Sequence, residues 1–287
     1  MYSARVPGRE SELTAGEVPP VGHPDHMPYL QMQTETRSML GVLIWLSIAY
    51  PQVAFDTNRG CAFMASPSWS VNRYAKHIIM HLVKYPVPVT WGGNKNIKNL
   101  VLAQPTIKPY TPGAKEFGLH CATDAAPGDQ ARGLTGGVIM LAGGVIDTIS
   151  TRQHLAGPDT HSLEVVAAGT VMHHLVPLRG LLQEARVPQV AASPTYIDSA
   201  STVFVAKGRA APKKSAWIRR RVEVLNDNFE EGEADPIAIE DPDNFADPQT
   251  KRLTYKPWER HRHYTHNLPG DPPGRAEKAP KKPMKSG

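Results

Sequence analysis

Cysteine is nearly missing from the chain. Cys61 and Cys121 are the two in 287 residues, which excludes a disulfide framework and any all-cysteine zinc site and fits a reducing compartment. Long apolar runs are missing as well: the longest, Met39 to Tyr50, ends at Pro51 and falls short of the roughly 20 residues that cross a bilayer, so no membrane association is expected. No targeting segment is recognised, because Glu10, Glu12 and Glu17 interrupt Arg5 and Arg9 and no apolar stretch follows. No internal repeat is visible. Nor is there a strong excess of one charge: 32 Lys+Arg against 27 Asp+Glu leave +5, which permits contact with nucleic acid without requiring it. Proline is what the chain has in excess, 27 residues, nearly twice the usual share of roughly 5%.

Those prolines divide the chain. Residues 1–28 hold Pro7, Pro19, Pro20, Pro24 and Pro28 with few apolar neighbours, which predicts an extended arm. From Thr34 to Tyr85 the pattern is helical. Ser66 is the expected N-cap with Pro67 at the first helical position, and Val71, Tyr74, Ala75, Ile78, Ile79 and Leu82 form the inward face. Arg73, Lys76, His77 and Lys84 occupy the outer face. Pro86, Pro88, Pro105, Pro109 and Pro112 then mark a linker, with one short strand near Val87–Trp91, and place a boundary near residue 115.

Beyond it the elements alternate. Strands are expected at Phe117–Asp124, Gly136–Leu141 and Val145–Ser150, the last two as a hairpin across Gly143–Gly144. A helix opens at Asp159 or Thr160, buries Leu163, Ala167, Thr170 and Val171, and kinks or restarts at Pro177. A strand at Pro194–Asp198, a helix from Ser199, a basic helix near 213–226, a strand at Ile237–Ile239 and a short helix near Asn244–Leu253 follow. Three strands before a helix, then alternation, predict an α/β domain over 116–255 with a mixed five-stranded sheet flanked by helices. Residues 29–115 form a small helical region ahead of it, and 256–287 form a basic, Pro-rich tail.

Charge is segregated along the chain. Residues 207–221 hold Lys207, Arg209, Lys213, Lys214, Arg219, Arg220 and Arg221 and no acid, whereas 227–247 hold nine acids and no base. The basic run, with Arg73 and Lys76 of the first region, is a candidate surface for an RNA backbone. "HRHYTH", with His261, His263 and His266, reads as a solvated basic segment rather than a metal site.

Four acids stand where chemistry would need them: Asp124 at the end of the first strand, Glu164 in the first turns of the long helix, Asp198 at the end of the fourth strand, and Asp247 at the start of the last helix. Carboxylates at adjacent strand ends and on a facing helix converge on one crevice, where they repel unless a hard divalent cation is held between them.

The order of short segments is similar to the ribonuclease H domain that ends a copia-type retroelement polyprotein. "HCATDAAPGD" resembles the family's first-strand motif with Asp124 at its metal-binding Asp, and "RGLTGGVIMLAGGVIDTISTRQ" resembles its hairpin. "HSLEVVAAG" aligns Glu164 with the metal-binding Glu, "YIDSAST" makes Asp198 the third acid, and "NFADPQTKRL", against "QLADILTKPL", makes Asp247 the fourth. Upstream, the stretch from Arg37 to Pro86 resembles the helical end of the preceding reverse transcriptase. The resemblance implies a ribonuclease H-like fold and hydrolysis with two Mg²⁺ held by Asp124, Glu164, Asp198 and Asp247, about 4 Å apart. The substrate would be the RNA strand of an RNA–DNA hybrid, marked by its 2′-hydroxyl.

The departures point another way. No polymerase palm carboxylates are found, so polymerisation is not expected; Ser199 replaces an Asn after the third acid; and residues 223–247 contain no His of the kind many ribonucleases H use to release product. The acids standing there instead would repel a phosphate backbone. With Pro-rich segments at both ends, the C-terminal one basic, these departures lead toward a retroelement-derived, inactive or weak ribonuclease H-like protein. Its role would be that of an RNA-contacting structural subunit of a large ribonucleoprotein, with rRNA and neighbouring protein subunits as partners. An organellar, mitochondrial ribosome is the natural setting. The alternative is an active Mg²⁺-dependent ribonuclease H.

Overall fold

Strand β1 (His120–Ala126) is apolar or small at nearly every position, and all but its last residue are buried, as a central strand covered on both faces requires. The computed structural model describes residues 13–86, 89, 118–128, 132–156, 159–187, 189–208 and 218–268. Around β1 lie β2 (Arg132–Leu141), β3 (Gly144–Ala156), β4 (Ser193–Ile197) and β5 (Ala234–Ala238) in the order β3-β2-β1-β4-β5. The first three pair antiparallel; β4 runs parallel to β1, and β5 parallel to β4. The expected mixed five-stranded sheet is therefore present. The β2–β3 hairpin turns one residue earlier than predicted, at Ala142 and Gly143, both with positive φ (52° and 81°), as a two-residue primed turn demands.

Helix α4 (Thr160–Glu184), capped by Asp159 Oδ1 accepting from Ser162 N at 2.7 Å, covers one face. Val165, Ala168, Val171, Met172 and Leu175 pack there on Leu119, Cys121, Ile139 and Ile197, joined by α5 (Ala200–Ala206) and α6 (Arg219–Glu230). Of the expected kink or restart at Pro177, the restart does not occur; the helix is continuous through it. Pro177 and His173 are both exposed, so the carbonyl that loses its partner four residues back lies on the solvent side.

The opposite face is covered by the segment after β5. Tyr196, Ile237, Phe245, Ala246 and Tyr264 form its core. No helix spans Asn244–Leu253; two short 3-10 turns, Asp241–Asp243 and Asp247–Gln249, stand before and within it, each with a proline in its first turn that has no N–H to donate to an α-helical ladder. The last helix is instead α7 (Tyr255–His266), in the segment read as the start of the tail. His261 and His266 are buried in it, not solvated, and burial drives the pKa of each down to about 3. Arg260, also buried, grips Asp243 Oδ1 through Nε at 2.9 Å and Nη2 at 2.6 Å.

The helical region comprises α1 (His26–Ala49), α2 (Ala54–Cys61) and α3 (Trp69–Lys84) around Leu40, Leu43, Val53, Tyr74 and Ile78. Helix α1 begins inside the predicted arm. The cap of α3 is Ser68, not Ser66: Ser66 and Pro67 are engaged by the arm, with Gly16 N donating to Ser66 O at 2.8 Å and Ala15 bridging Pro67. The region docks on the sheet domain. Thr148 Oγ1 donates to Ser47 O at 3.3 Å, Gln249 Nε2 to Pro51 O at 3.3 Å, and Arg252 reaches Asp56 Oδ1 at 3.1 Å and the Tyr74 hydroxyl at 2.9 Å. Apart from Val89, the strand expected at Val87–Trp91 and most of the linker lie outside the described residues.

Candidate active site

Strand alternation puts Asp124 on the same face as Ala122, toward Phe245, at the carboxyl end of β1. Because β4 runs parallel beside it, Asp198, just past the end of β4, comes out at the same end of the sheet. Glu164 projects from the opening turns of α4. One carboxylate oxygen from each of Asp124, Glu164 and Asp198 lies within 4.8 Å of the others. Asp247 joins through the turn Asp247–Gln249: oxygens of Asp198, Asp241 and Asp247 also lie within 4.8 Å of one another. All four acids singled out in the sequence are thus gathered at one end of the sheet, and Asp241 is a fifth that sequence reasoning missed.

The turn reaches this place because Gly136, opposite Asp124 in β2, has no side chain. A Cβ there would stand 2.6 Å from Thr250 Cγ2 and 3.0 Å from Gln249 Cβ. The next residue serves the other layer, since a Cβ on Gly137 would meet Val171 Cγ2 of α4 at 2.5 Å.

Each carboxylate is held. The Thr250 hydroxyl donates to Asp124 Oδ2. Asn244 hydrogen-bonds Asp198 while its Nδ2 donates to Thr123 O at 2.9 Å. Lys251 Nζ lies 3.0 Å from Asp247 Oδ1, 3.6 Å from Asp241 Oδ1 and 4.0 Å from Asp124 Oδ2. Thr250, Lys251 and Asn244 were also missed. The signal for Lys251 was present in its i+4 spacing from Asp247.

Burial dominates the electrostatics. Asp124 is 2% exposed and Glu164 and Asp247 5% each. Desolvation, then the charges of Asp198 and Asp124, pushes Glu164 up to about 9. Desolvation also raises Asp198, Asp124 and Asp247, all three against the opposing pull of Lys251. Glu164 Oε2 is buried with no hydrogen-bond partner. A cluster of hard anionic oxygens, destabilised by burial and mutual repulsion and containing one partnerless buried oxygen, fits a divalent cation of the magnesium type.

The acidic run 227–247 is less repulsive than its sequence implies. Glu233 pairs with Arg179 at 2.6 Å, Asp241 with Lys251 and Asp243 with Arg260. Of the basic residues, Arg219, Arg220 and Arg221 are exposed in the first turn of α6, and Lys207 is half-buried after α5; Arg73 and Lys76 are exposed on α3, which packs with α1 and α2 instead. Arg209, Lys213 and Lys214 lie outside the described residues.

Strand order β3-β2-β1-β4-β5, one acid at the end of each central parallel strand and a third on the connecting helix define a ribonuclease H-like α/β fold. No protein-family model matches the chain, and no curated protein does. Among solved structures, the ribonuclease H1 LC11, isolated from compost by a metagenomic approach, is similar at 17% identity and a TM-score of 0.37, over 46% of this chain and 91% of that one.

Proposed function

We propose that the chain is a metal-dependent hydrolase that cleaves the RNA strand of an RNA–DNA hybrid, and that it descends from a copia-type polyprotein, as its ordered series of short motifs supports. The observation that carries the activity is the convergence of Asp124, Glu164 and Asp198 within 4.8 Å around a buried, partnerless Glu164 oxygen. Asp124, Glu164, Asp198 and Asp247 would hold Mg²⁺, which when bound lowers the pKa of water and stabilises charge on the leaving 3′ oxygen. Thr250 and Asn244 fix the rotamers of Asp124 and Asp198, so little reorganisation remains when substrate arrives. Lys251 partly neutralises the cluster, reducing the repulsion an incoming phosphate meets. No His stands between residues 223 and 247 to shuttle a proton, which predicts slow turnover. The test is hybrid cleavage by purified protein in Mg²⁺ and in Mn²⁺. RNA-strand cleavage that disappears in Asp124→Asn is expected; a native chain that cuts nothing in either metal overturns the reading.

One observation favours a second role, as an RNA-contacting subunit of a large ribonucleoprotein such as an organellar ribosome. Arg219, Arg220 and Arg221 stand exposed at the amino end of α6, whose first turn contains no acid. Cations there oppose the helix dipole, so a polyanionic partner would account for their placement better than helix stability does. Co-purification with rRNA is the expected outcome of that role, and its absence from native complexes would remove it.

A further inference from the structure

Between α2 and the adjoining ends of β1 and β2, at Ala126 and Leu134, runs a groove of about 520 Å³. The helical region contributes Phe55, Arg59 and Phe63 to its lining; the sheet domain contributes Arg152, Lys251 and Arg252. Among the described lining residues, four side chains are cations and none is a carboxylate. The groove is continuous with the acid cluster, since Thr250 and Lys251 belong to both. The Arg59 guanidinium lies 5.9 Å from the Phe55 ring centre, and Arg152, on β3, is exposed where it lines the groove.

A cluster of buried acids repels a polyanion, so a hydrolase of nucleic acid needs positive charge close by to hold the backbone there. Aromatic surface beside such cations favours sugars and bases over inorganic anions. We propose that this groove seats the backbone of an RNA–DNA hybrid. Arg59 of the helical region and Arg152 of β3 contact phosphates, one from each part of the molecule, and the strand passes Lys251 to reach the acids. The helical region is then a working half of the substrate site. This inference rests on the hydrolase reading for the identity of the ligand.

Binding is measured on the full chain carrying Asp124→Asn, by fluorescence anisotropy of a labelled hybrid between 50 and 200 mM salt. Replacing Arg59 and Arg152 together by Ala should weaken binding about tenfold or more and reduce the log–log salt slope by about two, while Lys at both positions keeps the slope. A second measurement does not depend on the variants. Cys61 lines the groove and Cys121 is buried, so saturating hybrid should slow alkylation of Cys61 severalfold. Unchanged affinity and slope in the double variant, or unchanged Cys61 alkylation, overturns the proposal. Binding through Arg59 and Arg152 by a chain whose native form cuts nothing sinks the hydrolase and leaves the groove standing. Cleavage indifferent to both arginines does the reverse.

Discussion

Lys251 Nζ stands 3.0 Å from Asp247 Oδ1, within reach also of Asp124 and Asp241. Burial alone would lower the pKa of this lysine, but Asp124 and Asp247 outweigh that and hold it above its usual value. It therefore stays charged and competes electrostatically with any divalent cation at the same acids. Replacing it by Met should raise Mn²⁺ affinity, read by calorimetric titration, about tenfold, and lower the melting temperature of the metal-free protein by several degrees. A fall in metal affinity would show Lys251 to be an organiser of the ligand set rather than a rival to the ion.

The acids themselves set a pH dependence. Glu164 titrates near 9 when folded against 4.5 ordinarily, so between these values the native state keeps a proton that the unfolded chain has lost. Unfolding free energy must then fall as pH rises through this window. Asp198, raised in the same direction, adds to the slope. Urea denaturation in chelator from pH 5 to pH 9 should show this decline, Glu164→Gln should flatten it, and millimolar Mg²⁺ should offset it by binding the deprotonated site. A metal-free stability that rises over the same range contradicts the burial of Glu164.

What could be read from the sequence follows which signals are local. β1, α4 and β4 carry apolar patterns and caps within a few residues of the acids they present, so Asp124, Glu164 and Asp198 were visible. Helix α7 was not, because its buried face is made of Arg260, His261, Tyr264 and His266, residues that hydropathy assigns to water. Their burial depends on distant partners, Asp243 for Arg260 and Gln52 for His266. The part played by Gly136 was hidden for the same reason, since it is set by a turn far along the chain.

Gly136 should tolerate no side chain. An added Cβ meets Thr250 and Gln249 at 3.0 Å or less, so Gly136→Ala should push the turn off the sheet and loosen the Thr250 bond to Asp124. Overpacking of this kind costs about 1–3 kcal/mol, and Mn²⁺ affinity should fall with it. Gly180 on α4 has nothing within 4 Å of its Cβ position, and Ala there should be neutral or stabilising. Equal behaviour of the two variants in denaturation and metal titration would refute the role given to Gly136.

The Arg260–Asp243 pair joins α7 to the loop that carries Asn244 and Asp247, and both side chains are almost fully buried. Removing Arg260 alone, as Met, strands a buried carboxylate and should cost about 3–5 kcal/mol. Replacing both, Arg260→Met with Asp243→Leu, should recover most of that loss, because neither partner is then left uncompensated. A double variant as unstable as the single one would mean that packing, not charge, fixes α7.

The arginines of α6 separate stability from association. Arg219, Arg220 and Arg221 are exposed at a helix amino end, where negative charge is favoured by about 0.3–1 kcal/mol per side chain. Changing all three to Glu should therefore leave the melting temperature unchanged or slightly higher. The same change reverses the charge offered to a phosphate backbone, so RNA association should weaken, most at low salt, and its salt dependence should shrink. Thermal melts and salt-titrated RNA binding on one preparation give both readouts. A melting temperature lowered by several degrees would assign the arginines a structural role, and RNA binding unaltered at every salt concentration would make them a solvated face.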